Sequence, residues 1–493
     1  MRVLLVALCS LLAAGCATTG APFREHLASD APQVRECADW YRQLDERIDA
    51  AGARDAQDAR VPGFPYLRVN RLLSSMRHAA ASNEQLLHAL ADRMLALDLE
   101  ARRYEIMNLP AGQMPSLRDA LQRTQQCGRL LRGLDLASPG SRAALLRRAS
   151  KPDDYRLSSR ILGAYWLTRI PFAQGVQREE ARARAAFGRE LRTPEGAILV
   201  RHAPEPGASL PRARAALLLE RAAGNPLGIP EPSASDLQAL LAAYAPSFEI
   251  EVKGDYDRFG ALRWLRDATV PAVDGAQLAV YGHAAWTRYE GQVLLQLVYT
   301  LWFPERPPQS GGDLLAGKLD GITWRVTIAP DGEPLIYDAI HPCGCYHLFF
   351  PTVRAQARPV PGGADSLEEW MFAPQHLPRV AEGERPLVRI ATGTHAIERV
   401  SLTSGSDSLV RYELRPYDEL RSLFRFSGPR ASVFGAHGLV AGTERDERYF
   451  FWPMGIASAG ATRQWGRQAT AFVGRRHFDD ADLFEKRFRF DLR

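Results

Sequence analysis

Apolar positions recur at helical spacing through the first half of the chain and at alternate positions through the second, with the change near residue 246. Leu86, Leu87, Leu90, Met94 and Leu97 are separated by one, three or four residues, which places them on one stripe of a helix. Ser235 precedes Leu237, Leu240, Leu241 and Tyr244 as a helix cap, and Pro246 ends that helix. Shorter helices are predicted over residues 138–150 and 178–189, and the stretch 193–211, rich in proline and glycine, as a loop.

Beyond residue 246 the period falls to two. Phe248, Ile250 and Val252 alternate with charged residues as a half-buried strand would, and residues 292–303 are apolar enough for a central strand. A hairpin is predicted where Ile322, Trp324, Val326 and Ile328 alternate with Thr323, Arg325 and Thr327. Pro330, Asp331, Gly332 and Glu333 supply its turn, and residues 335–340 return. Further strands are predicted over 387–390, 409–414, 449–452 and 469–473. The class is α+β: a mainly helical N-terminal domain over 36–246, then a β-rich, mostly antiparallel C-terminal domain over 247–493. No internal repeat or low-complexity tract interrupts it.

At 493 residues the chain is long enough for two or three cores, and 46% hydrophobic with 24% charged residues is an ordinary globular balance. The net charge of +5 comes from 62 basic against 57 acidic residues, with no dense basic stripe of the kind a phosphate backbone requires. Nucleic acid is therefore not an expected partner. The first residues do change the picture. Met1 and Arg2 are followed by an apolar run from Val3 to Ala14, then Gly15 and Cys16. One positive charge, a short apolar core and small residues make a secretory signal over 1–15, too short to span a bilayer.

The ending Leu12-Ala13-Ala14-Gly15-Cys16 resembles the lipobox of bacterial lipoproteins. That resemblance implies that Cys16 is acylated and becomes the new N-terminus, with residues 16–35 as a tether and the lipid bilayer as a partner. Ala17 stands where an aspartate would be an inner-membrane retention cue, so the expected location is the cell envelope, at the outer membrane facing the periplasm. Cysteine use fits that compartment. Cys37, Cys127, Cys343 and Cys345 are even in number, and disulfides are expected between Cys37 and Cys127 and between Cys343 and Cys345.

The residues most suggestive of chemistry follow the hairpin: His341-Pro342-Cys343-Gly344-Cys345-Tyr346-His347. In an extended segment the histidines and cysteines share one face, and two imidazoles with two thiolates suit zinc or copper. One straight strand cannot wrap four ligands around an ion, because the outer pair would stand about 20 Å apart at ~3.3 Å per residue. Either Pro342 and Gly344 bend the chain, or His283, His395, His437 or His477 complete the shell. The competing reading is a Cys343–Cys345 bridge pinning a bend, whose small ring would be reducible enough for thiol exchange.

Cys345-Tyr346-His347 matches the first half of a Rieske motif, but no Cys-x-x-His second half exists. A cysteine hydrolase could use Cys343 or Cys345 with His395 or His437 and Asp338. The run from Gly455 to Gly460 is one residue too long for a nucleophile elbow and is predicted as a small-residue loop, and 477–480 as a solvated turn. Aromatics such as Trp286, Trp302 and Trp324 are expected to be mostly core, with a groove stacking sugars or peptides as the alternative.

Residues 165–176, 341–351 and 464–480 resemble stretches of proteobacterial lipoproteins to which no function attaches. The function expected is thus that of a membrane-anchored envelope component that binds a small-molecule ligand or an envelope protein, or is structural. The alternatives are a metal-binding or thiol-redox protein using His341, Cys343, Cys345 and His347, and a periplasmic hydrolase.

Overall fold

The computed structural model describes residues 21–114, 116–206, 210–363, 366–404, 410–426 and 428–492; the predicted signal and Cys16 lie outside them. The chain is α+β. Its described residues form two compact units that divide at Pro152 and Asp153: one takes those up to Pro152 with 428–437, the other those from Asp153 to 426 with 438–492.

The first unit surrounds a small hairpin with helices. They are α1 (Ala21–Leu27), α2 (Pro32–Ala50), α3 (Arg71–Ala81), α4 (Glu84–Met107), α5 (Leu117–Ala137) and α6 (Pro139–Arg148), and the hairpin is β1 (Ala59–Val61) and β2 (Phe64–Val69). Asn70, Asn83 and Ser116 cap α3, α4 and α5 through their side chains. Leu87, Leu90, Met94 and Leu97 form the buried stripe of α4 that their spacing predicts. A disulfide joins Cys37 on α2 to Cys127 on α5. Within the expected tether, Ala21–Leu27 is helical, and His26 on α1 is 3.0 Å from Asp135.

Apart from two short pairs, β5 (Ala261–Arg263) with β6 (Ala272–Asp274) and β12 (Ala355–Ala357) with β16 (Phe488–Phe490), the second unit is built on a ten-stranded mixed sheet. In chain order its strands are β3 (Ile198–Pro204), β4 (Ser247–Val252), β7 (Ala279–Tyr289), β8 (Gln292–Arg306), β9 (Gly317–Ile328), β10 (Pro334–Ile340), β11 (Leu348–Pro351), β13 (Arg385–Ile390), β14 (Ile397–Thr403) and β15 (Val410–Pro416). Their spatial order is β11-β10-β9-β8-β7-β15-β3-β4-β13-β14. The stretch from β7 to β11 is an antiparallel meander that contains the predicted hairpin, with Tyr337 opposite Val326. β15 is parallel to both of its neighbours and joins the meander to the rest.

Helices α8 (Tyr165–Gly188), α9 (Arg212–Ala222) and α10 (Ala234–Tyr244) belong to this unit, which is why the boundary is not at 246. Phe187, Leu219 and Leu240 share a core with Phe248, Tyr299, Trp324 and Phe350 on the sheet. Ser233, not Ser235, caps α10. The predicted loop 193–211 contains β3, whose short apolar run is hidden between prolines and glycines. β4 is buried on both faces, because Arg389 on β13 pairs with Glu249 at 2.9 Å and Glu251 at 2.7 Å. Two predicted strands are absent. Residues 448–451 are α11 (Arg448–Phe451), followed by a tight turn over Trp452–Met454, and 469–473 run irregularly except for a bridge between Ala469 and His477.

Candidate active site

The segment from His341 to His347 is the connection between β10 and β11, whose register closes at Ala339 opposite Leu348. It is a folded loop and not the extended face expected. His341 N–H donates to the Cys345 carbonyl at 3.0 Å and Gly344 N–H to the His341 carbonyl at 2.8 Å. Gly344 has φ +96°, and a Cβ there would stand 2.3 Å from the Ala469 carbonyl oxygen, so glycine is needed both for conformation and for space. Arg463 locks the outside of the turn: its Nε donates to the Cys343 carbonyl at 3.1 Å, and its guanidinium also reaches the carbonyls of Ala457 and Ser458.

The bend brings the two sulfurs together. Cys345 N–H donates to Cys343 Sγ at 3.3 Å, and both cysteines are free thiols, so the expected bridge between them is not formed. The Cys345 thiol, followed by His341 and Arg445, draws Cys343 below the ordinary thiol range against the opposing effects of burial and Glu447. The same contact, with burial, pushes Cys345 well above that range. The two thiols are thereby set apart in acidity, with Cys343 the more acidic of the pair.

Behind His341 lies a buried chain of alternating carboxylates and imidazoles. His341 Nδ1 is 3.1 Å from one oxygen of Asp320, whose other oxygen is 2.8 Å from His395 Nδ1. His395 Nε2 is 3.5 Å from Asp257. Asp257 accepts from the backbone of Lys253 and Gly393 and from the Thr392 hydroxyl, so it is well stabilised as an anion. Burial would raise the Asp320 carboxyl, but His341, His395 and Arg445 hold it well below the usual range. Burial opposes protonation of His395, yet Asp257 and then Asp320 raise it above an ordinary imidazole. With Asp320 ionised, His341 donates through Nδ1, which leaves Nε2 free for proton transfer.

His341, Cys343 and Cys345 open onto a cavity of about 540 Å³ with mainly apolar walls, among them Phe172, Val176, Phe372, Phe451, Ile456 and Phe472. Its walls come from all three of the stretches 165–176, 341–351 and 464–480. Glu447 also faces it, with no hydrogen bond to its carboxylate among the described residues. Burial pushes Glu447 up to about 7, against the lowering effect of Arg445. Arg445 donates to the Leu319 carbonyl and to Asp320, while its Nε is buried without a partner. Despite burial, Asp320 and then Cys343 keep it firmly charged. The cavity thus brings together two thiols, an oriented imidazole, a guanidinium and a carboxyl poised to titrate near neutrality.

The other expected site residues are placed elsewhere. His347 Nε2 is 2.8 Å from Asp338 and its Nδ1 is 3.3 Å from Thr470, so both nitrogens are engaged and it cannot join the two thiols and His341 around an ion. Among the described residues no group of three or more His, Cys, Asp or Glu side chains is placed to hold a metal ion. Asp338 is paired with Arg325 at 2.5 Å and serves His347 rather than a catalytic cysteine. His283 is buried between Tyr417 and Trp465, and His477 pairs with Asp153 and Asp480. His437 falls in the first unit. The loop 455–460 is irregular as predicted, and its Ile456, Ala459 and Gly460 line the cavity. Asp257, Asp320, Arg445 and Glu447 escape sequence reasoning. Glu447 sits in the run Glu444-Arg445-Asp446-Glu447-Arg448, which reads as a solvated charge cluster.

The fold and cavity define an α+β protein with a thiol–imidazole–carboxylate centre. No protein-family model, curated protein or solved structure matches the chain.

Proposed function

We propose that this chain is a cysteine-dependent acyl hydrolase or acyltransferase of the cell envelope, with Cys343 as nucleophile. The observation that carries the reading is a free thiol, Cys343, on the same wall of an apolar cavity as an imidazole, His341, that is fixed by a buried carboxylate, Asp320. His341 Nε2 takes the Cys343 thiol proton as the sulfur adds to an ester carbonyl carbon, and the acyl–oxygen bond then breaks. The leaving alkoxide takes that same proton back from His341 Nε2, giving an alcohol and a Cys343 thioester. Water, or a second alcohol, then attacks the thioester while His341 takes its proton, returning acid or ester and the free thiol. Arg445 supplies positive charge to the oxyanion and Glu447 a further proton-transfer group. An N-terminal acyl anchor at Cys16 belongs to the same reading, on the strength of the lipobox resemblance.

The adjacency of Cys345 favours one second reading, a dithiol–disulfide exchange centre in which Cys343 attacks a partner disulfide and Cys345 resolves the mixed disulfide. One experiment separates them. The chain is incubated with p-nitrophenyl esters of increasing acyl length and its intact mass is recorded on rapid acid quench. An acyl adduct on Cys343 that survives Cys345→Ala and is lost in Cys343→Ala supports acyl transfer. No adduct, together with a two-hydrogen mass loss in a glutathione buffer that needs both cysteines, sinks it in favour of exchange.

A further inference from the structure

We propose that the second unit carries a docking face for an anionic lipid bilayer, formed by α7 (Leu157–Leu162), the first turns of α8, and α11 with the turn after it. Large apolar side chains normally turn inward, yet Leu162 and Trp166 are 79% and 73% exposed, and Ile161, Leu167, Tyr449 and Phe450 are also exposed. They stand at the places where their elements meet: Gly163 packs on Pro453, and α8 touches the Trp452–Met454 turn. A contiguous apolar face of this kind marks an interaction surface.

The charge pattern selects a bilayer over a protein. Between Asp154 and Glu179 there is no acidic residue but four arginines, and from Arg448 to Phe478 there is again none. Arg156 and Arg178 are exposed, as anionic headgroups would require. Arg160 is turned inward instead. Its Nε donates to the Met454 carbonyl at 2.9 Å and its Nη2 to that of Gly474 at 2.6 Å, while the guanidinium lies over Tyr155 and Tyr165. That clamp presents the helices as a fixed surface, and Trp166, Tyr449 and Trp452 supply the amphipathic rings that settle at headgroup depth.

The face is continuous with the cavity. About one and a half turns beyond Trp166 and Leu167, Phe172 lines the cavity, and its ring stands 5.5 Å from that of Phe451, which follows Tyr449 and Phe450. Docking would set the thiol cavity at the lipid boundary, which makes the acyl ester of a membrane lipid the substrate class; this last step rests on the acyl-transfer reading, whereas the docking itself does not.

The test uses the full-length chain with Cys16→Ser, floated with vesicles of phosphatidylethanolamine containing one quarter phosphatidylglycerol, and with pure phosphatidylcholine. Wild type is expected to float with the anionic vesicles. Leu162→Glu with Trp166→Glu should weaken that binding about tenfold or more without altering the melting midpoint or Cys343 alkylation. Arg156→Ser with Arg178→Ser should reduce the preference for anionic over neutral vesicles. Cys343→Ala must bind as wild type does, so a failed acyl reading and a failed docking face are seen separately. Equal vesicle binding by the Leu162/Trp166 variant, no binding by wild type, or a wild-type dimer that this variant makes monomeric would each overturn the proposal.

Discussion

Asp320 and His395 are joined by a 2.8 Å hydrogen bond with both side chains buried, and the His395 ring stacks on Phe303 at 3.9 Å. An isosteric Asp320→Asn removes the charge that both His341 and His395 lean on. It is expected to destabilise the chain by about 3–5 kcal/mol, the usual cost of stranding a buried partner. It should also slow Cys343 alkylation by iodoacetamide at pH 7. Equilibrium denaturation and mass-resolved alkylation rates check the two effects.

The pH dependence of stability has two limbs. His202, pushed by burial down to about 4, and His283 and His347, pushed by burial down to about 3, stay neutral in the fold but accept protons when unfolded. Stability therefore falls as pH drops below about 6.5, by up to about 1.4 kcal/mol per pH unit for each group. His283→Phe should flatten that limb in denaturation midpoints taken between pH 7.5 and 5.

His395 has the opposite sign. Its raised value means that its contribution is complete below about 6.5 and is lost as pH rises through the folded value. Asp320, lowered, contributes fully above the ordinary carboxylate range and loses its contribution only in stronger acid. His395→Gln is expected to lower stability at pH 6 more than at pH 9, and an equal loss at both would refute a charged imidazole between Asp257 and Asp320.

Gly344→Ala should cost more than Gly291→Ala. Both glycines have positive φ, at +96° and +80°, so each substitution carries about 1 kcal/mol or more of backbone strain. A Cβ at 291 meets nothing within 4 Å, whereas at 344 it meets the Ala469 carbonyl. Comparing their thermal midpoints isolates the clash, and the Gly344 variant alone should change the reactivity of Cys343.

Cys37 and Cys127 are 90 residues apart in sequence. In the chain-entropy view, the double serine variant should lose about 4–5 kcal/mol relative to the oxidised chain. Urea denaturation with and without reductant measures it.

Much of the architecture was legible. The helical stripe from Leu87 to Leu97 and the hairpin around Asp331 and Gly332 are local patterns that the fold preserves. The misreadings arise where long-range partners override the pattern. Glu249 and Glu251 look solvated until Arg389, some 140 residues on, buries them. Tyr449 to Trp452 are aromatic enough for a strand, but form a helix and turn next to α7. At the site, the cysteines and His341 were visible because they cluster in sequence. Asp320 and His395 were not visible as a pair, since the chain separates them by 75 residues and only the turn of the sheet brings them together.

The place of β15 also bears on how the molecule is made. This strand lies between β7 and β3 and is parallel to both, so the sheet remains two open-edged halves until residue 416 has emerged. Delivered N-terminus first, the chain would for a time expose the unpaired margins of β3 and β7, which are templates for strand addition by other chains. Its folding would then be limited by late closure of a seam, and its yield by whatever shields those margins while the seam stands open.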